Sequence, residues 1–211
     1  MPSVMVLDTR EKLIRSAQAL MLAKGYSATG VDDLCRDAGV SKGSFYHQFS
    51  SKEALAIAAL GDFYEAGLRN LLAIDVSSVV PEQRLFAFLD AVSRQGHEFW
   101  NSGCLLGSLA SEMALSSPAL QTEVARLFSQ TAQALEPLME SFVASLPARA
   151  PSAVALAEHF LVVVEGAIVM SRAHADPMKI GQAVARFAEQ LHWLASANTE
   201  AVQPRKKARR P

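Results

Sequence analysis

The chain has 211 residues, half of them hydrophobic and 19% charged, and its formal net charge is −1. That suffices for one sizeable core or a small domain beside a larger one, and it excludes disordered and fibrous classes. Two cysteines far apart in sequence, Cys35 and Cys104, exclude a disulfide scaffold, and no 18-residue stretch free of charge argues for a membrane span.

The charge is unevenly spread. Residues 1–52 hold seven Lys/Arg against five Asp/Glu, residues 53–198 eight against fifteen, and residues 199–211 five against one. Both ends therefore suit a polyanion and the middle does not. The opening MPSVMVLDTREK has no basic region followed by a long apolar run, so a cytoplasmic protein without an export signal is expected.

Helical periodicity dominates, and no convincing period-2 strand occurs. Asp8 to Lys24 carries Leu13, Ile14, Ala17, Leu20 and Met21 at helical spacing, with a D-x-x-E start at Asp8 and a stop at Gly25. A short helix follows, with Thr29 expected as its N-cap, Val31, Leu34 and Cys35 facing inward, and Ala38-Gly39 as its end. A tight turn at Val40-Ser41 leads to a third helix over Lys42 to Gln48. Ser50 with Glu53 predicts a capping box opening a long fourth helix with Leu55, Ala59 and Phe63 in register. Longer, more acidic helices are expected over 81–100, 104–115, 118–145, 152–174 and 177–197. Pro118 and Pro177 fall at first helical positions and Pro137 predicts a kink. A Pro/Ala loop is expected at Leu146 to Pro151, and the final QPRKKARRP predicts a basic disordered tail.

Three short helices within some fifty residues, with a Gly-containing turn between the second and third, form a helix-turn-helix pattern. In the third helix Phe45 and Phe49, four apart, would pin it to a small core. Lys42, Ser44, Tyr46, His47 and Gln48 then lie on or near the open side, as donors for phosphates and base edges. Gly43 has no Cβ and would let the helix start approach DNA closely. Thr29 and Lys52, at the starts of flanking helices, add donors beside positive dipole ends. Any small helical bundle also exposes a polar helix of this kind.

The run Thr29-(x)9-Gly39-Val40-Ser41-Lys42-Gly43-Ser44-Phe45-Tyr46-His47-Gln48-Phe49-(x)2-Lys52-Glu53-Ala54-Leu55 strongly resembles the signature of the tetracycline-repressor (TetR) family, over about residues 9 to 56. The resemblance implies that Thr29, Ser41, Tyr46, His47 and Lys52 contact phosphates, that Lys42, Gly43 and Ser44 approach base edges, and that Phe45 and Phe49 are core. Where this chain has Gln48 the family often has His or Tyr. An all-α fold is expected: a three-helix DNA-binding domain at 1–52, a helical-bundle sensing and dimerisation domain at 53–198, and the tail at 199–211.

In the last helix Ile180, Val184, Phe187, Leu191 and Leu194 recur at steps of four and three, as do Leu156, Phe160, Val163, Ala167 and Met170 in the one before. Such seams suit side-by-side helix packing, either against the chain's own core or against a mate. Leu161, Val164 and Ile168 make the earlier helix apolar on more than one side. The family resemblance implies a homodimer on palindromic operator DNA, joined by these two helices as a four-helix bundle. A ligand that spreads the reading heads would then release the DNA.

Cys104 follows Ser102-Gly103 at an expected helix start, where the positive dipole end favours thiolate. The Ser-Gly-Cys-Leu stretch resembles that of NemR-type electrophile-sensing repressors. Equally, Cys104 is a small hydrophobe suited to burial. Phe86, Phe88, Phe99, Trp100, Met113, Phe128, Met139, Phe142 and Met170 are candidates to line a cavity for an unknown apolar or electrophilic effector, with Cys104, Phe99, Trp100 and Met113 as the sensor set. The histidines show no metal-ligand spacing, and no phosphate loop or nucleophile elbow occurs, so no metal, cofactor or catalytic residue is expected. The alternatives are a helical thiol enzyme using Cys104, and a DNA-binding architectural protein without an effector.

Overall fold

The computed structural model describes residues 8–77, 79–113, 117–146 and 151–202. These residues form nine helices and no strand: α1 Thr9–Lys24, α2 Val31–Ala38, α3 Lys42–Gln48, α4 Lys52–Leu72, α5 Pro81–Phe99, α6 Leu105–Met113, α7 Pro118–Ala144, α8 Ala153–His174 and α9 Met178–Val202. Residues 199–202, expected in a tail, continue α9. The basic residues 205–210 lie outside the described residues, as do 147–150 of the Pro/Ala loop.

Local chemistry sets the helix ends. Asp8 accepts from the Glu11 amide at 2.7 Å while Glu11 accepts from the Asp8 amide at 3.1 Å, the reciprocal box anticipated there. The box expected at Ser50 is displaced by one residue: Ser51 caps α4, accepting from the Ala54 amide at 3.0 Å. The Glu53 carboxylate instead accepts from the Ser117 hydroxyl at 2.6 Å. α2 ends at Gly39, whose φ of +63° suits a residue without Cβ. There the Gly39 and Val40 amides return to the Arg36 and Cys35 carbonyls at 3.3 and 2.9 Å. α8 ends in the same arrangement on Ala175, at φ +51°. Pro177 precedes α9, and the Asp176 carboxylate caps it by accepting from the Met178 amide at 3.0 Å.

The chain groups into two compact units. The first comprises residues up to Ala73 together with Phe99–Thr131, so α6 and the first part of α7 pack in one body with α1–α4. α1 lies at its centre, touching α2, α3, α4 and α6, and Leu13, Ala17 and Met21 of α1 are buried with Leu34, Phe45, Leu55 and Leu60. The second comprises Ile74–Glu98 and the chain from Ala132 onward. In it Phe88 meets Phe160 edge-on at 6.0 Å, Phe160 lies 5.9 Å from Phe187, and Phe86 is edge-on to Phe142 at 5.7 Å. α5 and α9 approach so closely at Gly181 that a Cβ there would lie 2.1 Å from the Ser93 carbonyl oxygen.

The two apolar seams of α8 and α9 serve mainly the second unit's own core. Leu156, Phe160 and Ala167 on α8 and Ile180, Val184, Phe187 and Leu191 on α9 are buried. The last residues of the two seams, Met170 and Leu194, are exposed, and a further apolar stripe lies open on α8, with Val162 68% and Val169 63% exposed beside Gly166. By length and composition α8 could also cross a membrane, with a mean hydropathy of 1.9 over its most apolar window.

Candidate nucleic-acid interface

The open face expected to meet DNA is built on α3. Ser41 caps it, accepting from the Ser44 amide at 3.0 Å, with the Ser41 and Ser44 hydroxyls 2.9 Å apart. Phe45 is wholly buried and Phe49 nearly so, their rings 6.3 Å apart, and the Arg10 guanidinium covers Phe49 at 5.2 Å. With these anchors inside, the helix turns Ser41, Lys42, Gly43, Tyr46 and His47 outward, all exposed. Tyr46 is 58% exposed and rests edge-on against Phe45 at 5.1 Å, so its ring stands out of the surface on a buried base. Ser44 and Gln48 are half-buried. A Cβ at Gly43 would meet only the Ser41 hydroxyl, at an ordinary 3.6 Å, so the fold itself does not demand glycine there. Lys42 reaches back to α2, its ammonium 2.7 Å from Asp32.

Two of the expected donors are engaged within the protein. Thr29 is not the α2 cap: Gly30 occupies that position, and its amide donates to the Asp33 carboxylate at 3.3 Å. The Thr29 side chain is fully buried and donates to the Gly25 carbonyl at 2.6 Å, closing the turn that brings the chain from α1 into α2. The Lys52 ammonium donates to the Tyr26 and Thr29 carbonyls at 2.9 and 3.0 Å and sits 3.9 Å over the Tyr26 ring. Burial lowers its pKa, against the pull of Glu112. Ser41, Lys42, Gly43, Tyr46 and His47 therefore share one open face, while Thr29 and Lys52 order the segment beside it.

Glu112 was missed in the sequence. From the end of α6 it accepts from the Tyr26 and Ser27 amides, both at 2.7 Å, clamping the α1–α2 connection opposite Lys52. Burial pushes its carboxyl up, but the bonds from Ser27 and Tyr26 and the Lys52 charge outweigh this and hold it below the ordinary value. Gly25 leaves room for the carboxylate, since a Cβ there would come within 2.9 Å of it, and its φ of +87° also favours glycine. No spacing rule joins residues 26 and 112.

Of the sensor residues, Cys104 stands just before α6, its carbonyl accepting the Ser108 amide at 3.0 Å, and is only 8% exposed. The turn before it uses Gly103 at φ +93°. Phe99 and Trp100 are half-buried and edge-on at 5.9 Å. Met113 ends α6, and its side chain lies outside the described residues. Phe88, Met139 and Phe142 are core, while Met170 lines an open groove of about 360 Å³ with Val163, Arg186 and Phe187. Cys35 is buried, and desolvation raises its pKa.

A short capped helix held on two buried phenylalanines, presenting Lys, Tyr and His outward after an αL glycine turn, defines a helix-turn-helix DNA-binding regulator. Residues 13–59 match the model of bacterial regulatory proteins of the tetR family, and residues 81–186 that of the LmrA/YxaF-like transcriptional regulator C-terminal domain. The uncharacterised HTH-type regulator YxaF of Bacillus subtilis (strain 168) is 33% identical over 178 residues, 80% of this chain and 87% of that protein. The HTH-type transcriptional repressor DhaR of Mycobacterium sp. (strain GP1) is 33% identical over 57% of this chain, a match spanning 60% of that relative's length. The solved reduced form of Escherichia coli NemR superposes with a TM-score of 0.72 at 26% identity, covering 85% of this chain and 95% of that one. The chain belongs to the TetR family of transcriptional regulators, with a C-terminal half of the LmrA/YxaF type.

Proposed function

We propose that this regulator is a cytoplasmic repressor that binds a palindromic operator as a homodimer through the α3 face and leaves it when an effector perturbs the α6 region. The observation that carries the reading is the outward set Ser41, Lys42, Gly43, Tyr46 and His47 on a helix anchored by Phe45 and Phe49. Lys42, Gly43 and Ser44 are assigned to base edges, and Ser41, Tyr46 and His47 to phosphates. Thr29 and Lys52 support that contact by ordering the backbone at residues 25–30. Relatives named as repressors, DhaR among them, support the sign of regulation.

Twofold symmetry doubles the few base contacts one short helix makes and places the reading heads about 34–36 Å apart, one turn of DNA. The exposed stripe Val162, Gly166, Val169 and Met170 is the surface assigned to the mate. The effector step is assigned to α6, which carries Cys104 before its start and the Glu112 clamp near its end. Similarity to a protein solved in a reduced form supports redox control of Cys104.

Binding of a duplex selected by the wild-type protein from a random-sequence pool tests the reading. Lys42→Ala and Tyr46→Ala should each weaken binding by about tenfold or more with the dimer intact, and added salt should weaken it steeply. Unchanged affinity in both variants would remove α3 from the interface. Loss of oxidant- or electrophile-induced release in Cys104→Ser would support the thiol as the trigger; retained release assigns the effector elsewhere.

A further inference from the structure

α2 opens with two adjacent acids that have different duties. Asp33 is wholly engaged in holding the head together: it accepts from the Gly30 amide at 3.3 Å, from Lys24 at 2.6 Å and from Arg36 at 3.1 Å. Asp32 holds no cap. Its side chain, 64% exposed, instead grips the Lys42 ammonium at 2.7 Å across the turn, and that bond raises the pKa of Lys42. A carboxylate thus stands on the foremost cation of a surface built for a polyanion.

We infer that Asp32 is a specificity-determining residue: by holding Lys42 it withdraws that charge from phosphates while leaving it able to read a base edge. The inference rests on α3 being the reading helix. An ammonium has three N–H donors, and Asp32 takes one. The O6 and N7 acceptors of guanine can take the others without breaking the pair. A non-operator duplex is gripped chiefly by its phosphate oxygens, and its affinity comes from neutralised phosphates and released counterions. There the Lys42–Asp32 pair carries no net charge, and the exposed carboxylate repels the strand. Asp32 therefore weakens non-operator binding more than operator binding. On stability it weighs little, as an exposed pair.

The test compares wild type, Asp32→Asn, Lys42→Ala and the double variant on the wild-type-selected duplex and on poly(dA-dT), which lacks the O6/N7 pair of guanine, across a salt series. Asp32→Asn keeps the shape of the side chain, and thermal melts of each variant establish that the head is folded. The expected result is poly(dA-dT) affinity tightened by about tenfold with a salt slope steeper by about one, against a change under about threefold on the selected duplex. In the Lys42→Ala background the same substitution should tighten poly(dA-dT) binding by under about threefold, the part due to repulsion of the strand that remains without the lysine. Equal tightening on both duplexes, or an undiminished effect without Lys42, overturns the assignment of Asp32 alone. A wild type that does not discriminate the duplexes, with Lys42→Ala binding unchanged, overturns the α3 reading and this inference together.

Discussion

The contacts proposed for Lys42 and Tyr46 depend on residues off the α3 face that order the neighbouring α1–α2 connection. Thr29 is one: Thr29→Val keeps the shape and removes the donor, leaving the Gly25 carbonyl without its 2.6 Å bond. It should lower stability by about 1–2 kcal/mol in urea unfolding, and weaken operator binding as the turn loosens. Glu112 is another. Its carboxyl is held below the usual glutamate value of 4.5, so its contribution is present above that value and lost as the pH falls through the folded-state one. Glu112→Gln should lower the urea midpoint at pH 7 and reduce its fall between about pH 5 and pH 3; an unaltered acid limb would show that the clamp contributes nothing. Ala175 closes α8 with φ +51°, where a Cβ is disfavoured, and Ala175→Gly should stabilise the protein by about 0.5–1 kcal/mol in the same assay.

Among the elements, α3 and α9 depend on very different contacts. α3 has seven residues, too few to be helical alone, and is kept by the Ser41 cap and by Phe45 and Phe49. α9 is long and is fixed against α5 by backbone approach at Gly181. Gly181→Ala would press a methyl into the Ser93 carbonyl, and parting the helices should cost about 1–3 kcal/mol or more, read as a lower thermal midpoint. A midpoint equal to wild type would mean that α5 and α9 are free to separate there.

For the whole molecule, the distribution of apolar surface matters more than its total. The largely buried seams of α8 and α9 leave Val162 and Val169 outside, with the seam end Met170 also exposed and Trp193, 79% exposed, on α9. Val169→Glu should place a charge in the proposed contact between mates, give a monomer in sedimentation, and reduce operator affinity by at least about tenfold through loss of the second head. A dimer persisting in that variant would move the interface off this stripe. The acidic middle of the chain and its more basic first 52 residues fit the same picture, with DNA attracted to the heads and repelled from the rest.

Much of this was legible in the residues themselves. Helix periods, the Asp8–Glu11 box, the Gly39 turn and the Phe45–Phe49 anchor pair are local, decided within a few positions by backbone geometry and apolar spacing. That is why the all-helical architecture and the open face of α3 follow from spacing alone. What the fold alone decided involves partners distant in the chain. Thr29 turned inward, Lys52 was spent on two backbone carbonyls, and Glu112 reached back some 85 positions to the α1–α2 connection. Likewise the period of α8 could not say which of its apolar sides meets α9, since a helix hydrophobic on two sides has two equivalent seams until its neighbours are placed. Short-range order is written in spacing; which groups remain free for a ligand is settled only when the chain closes on itself.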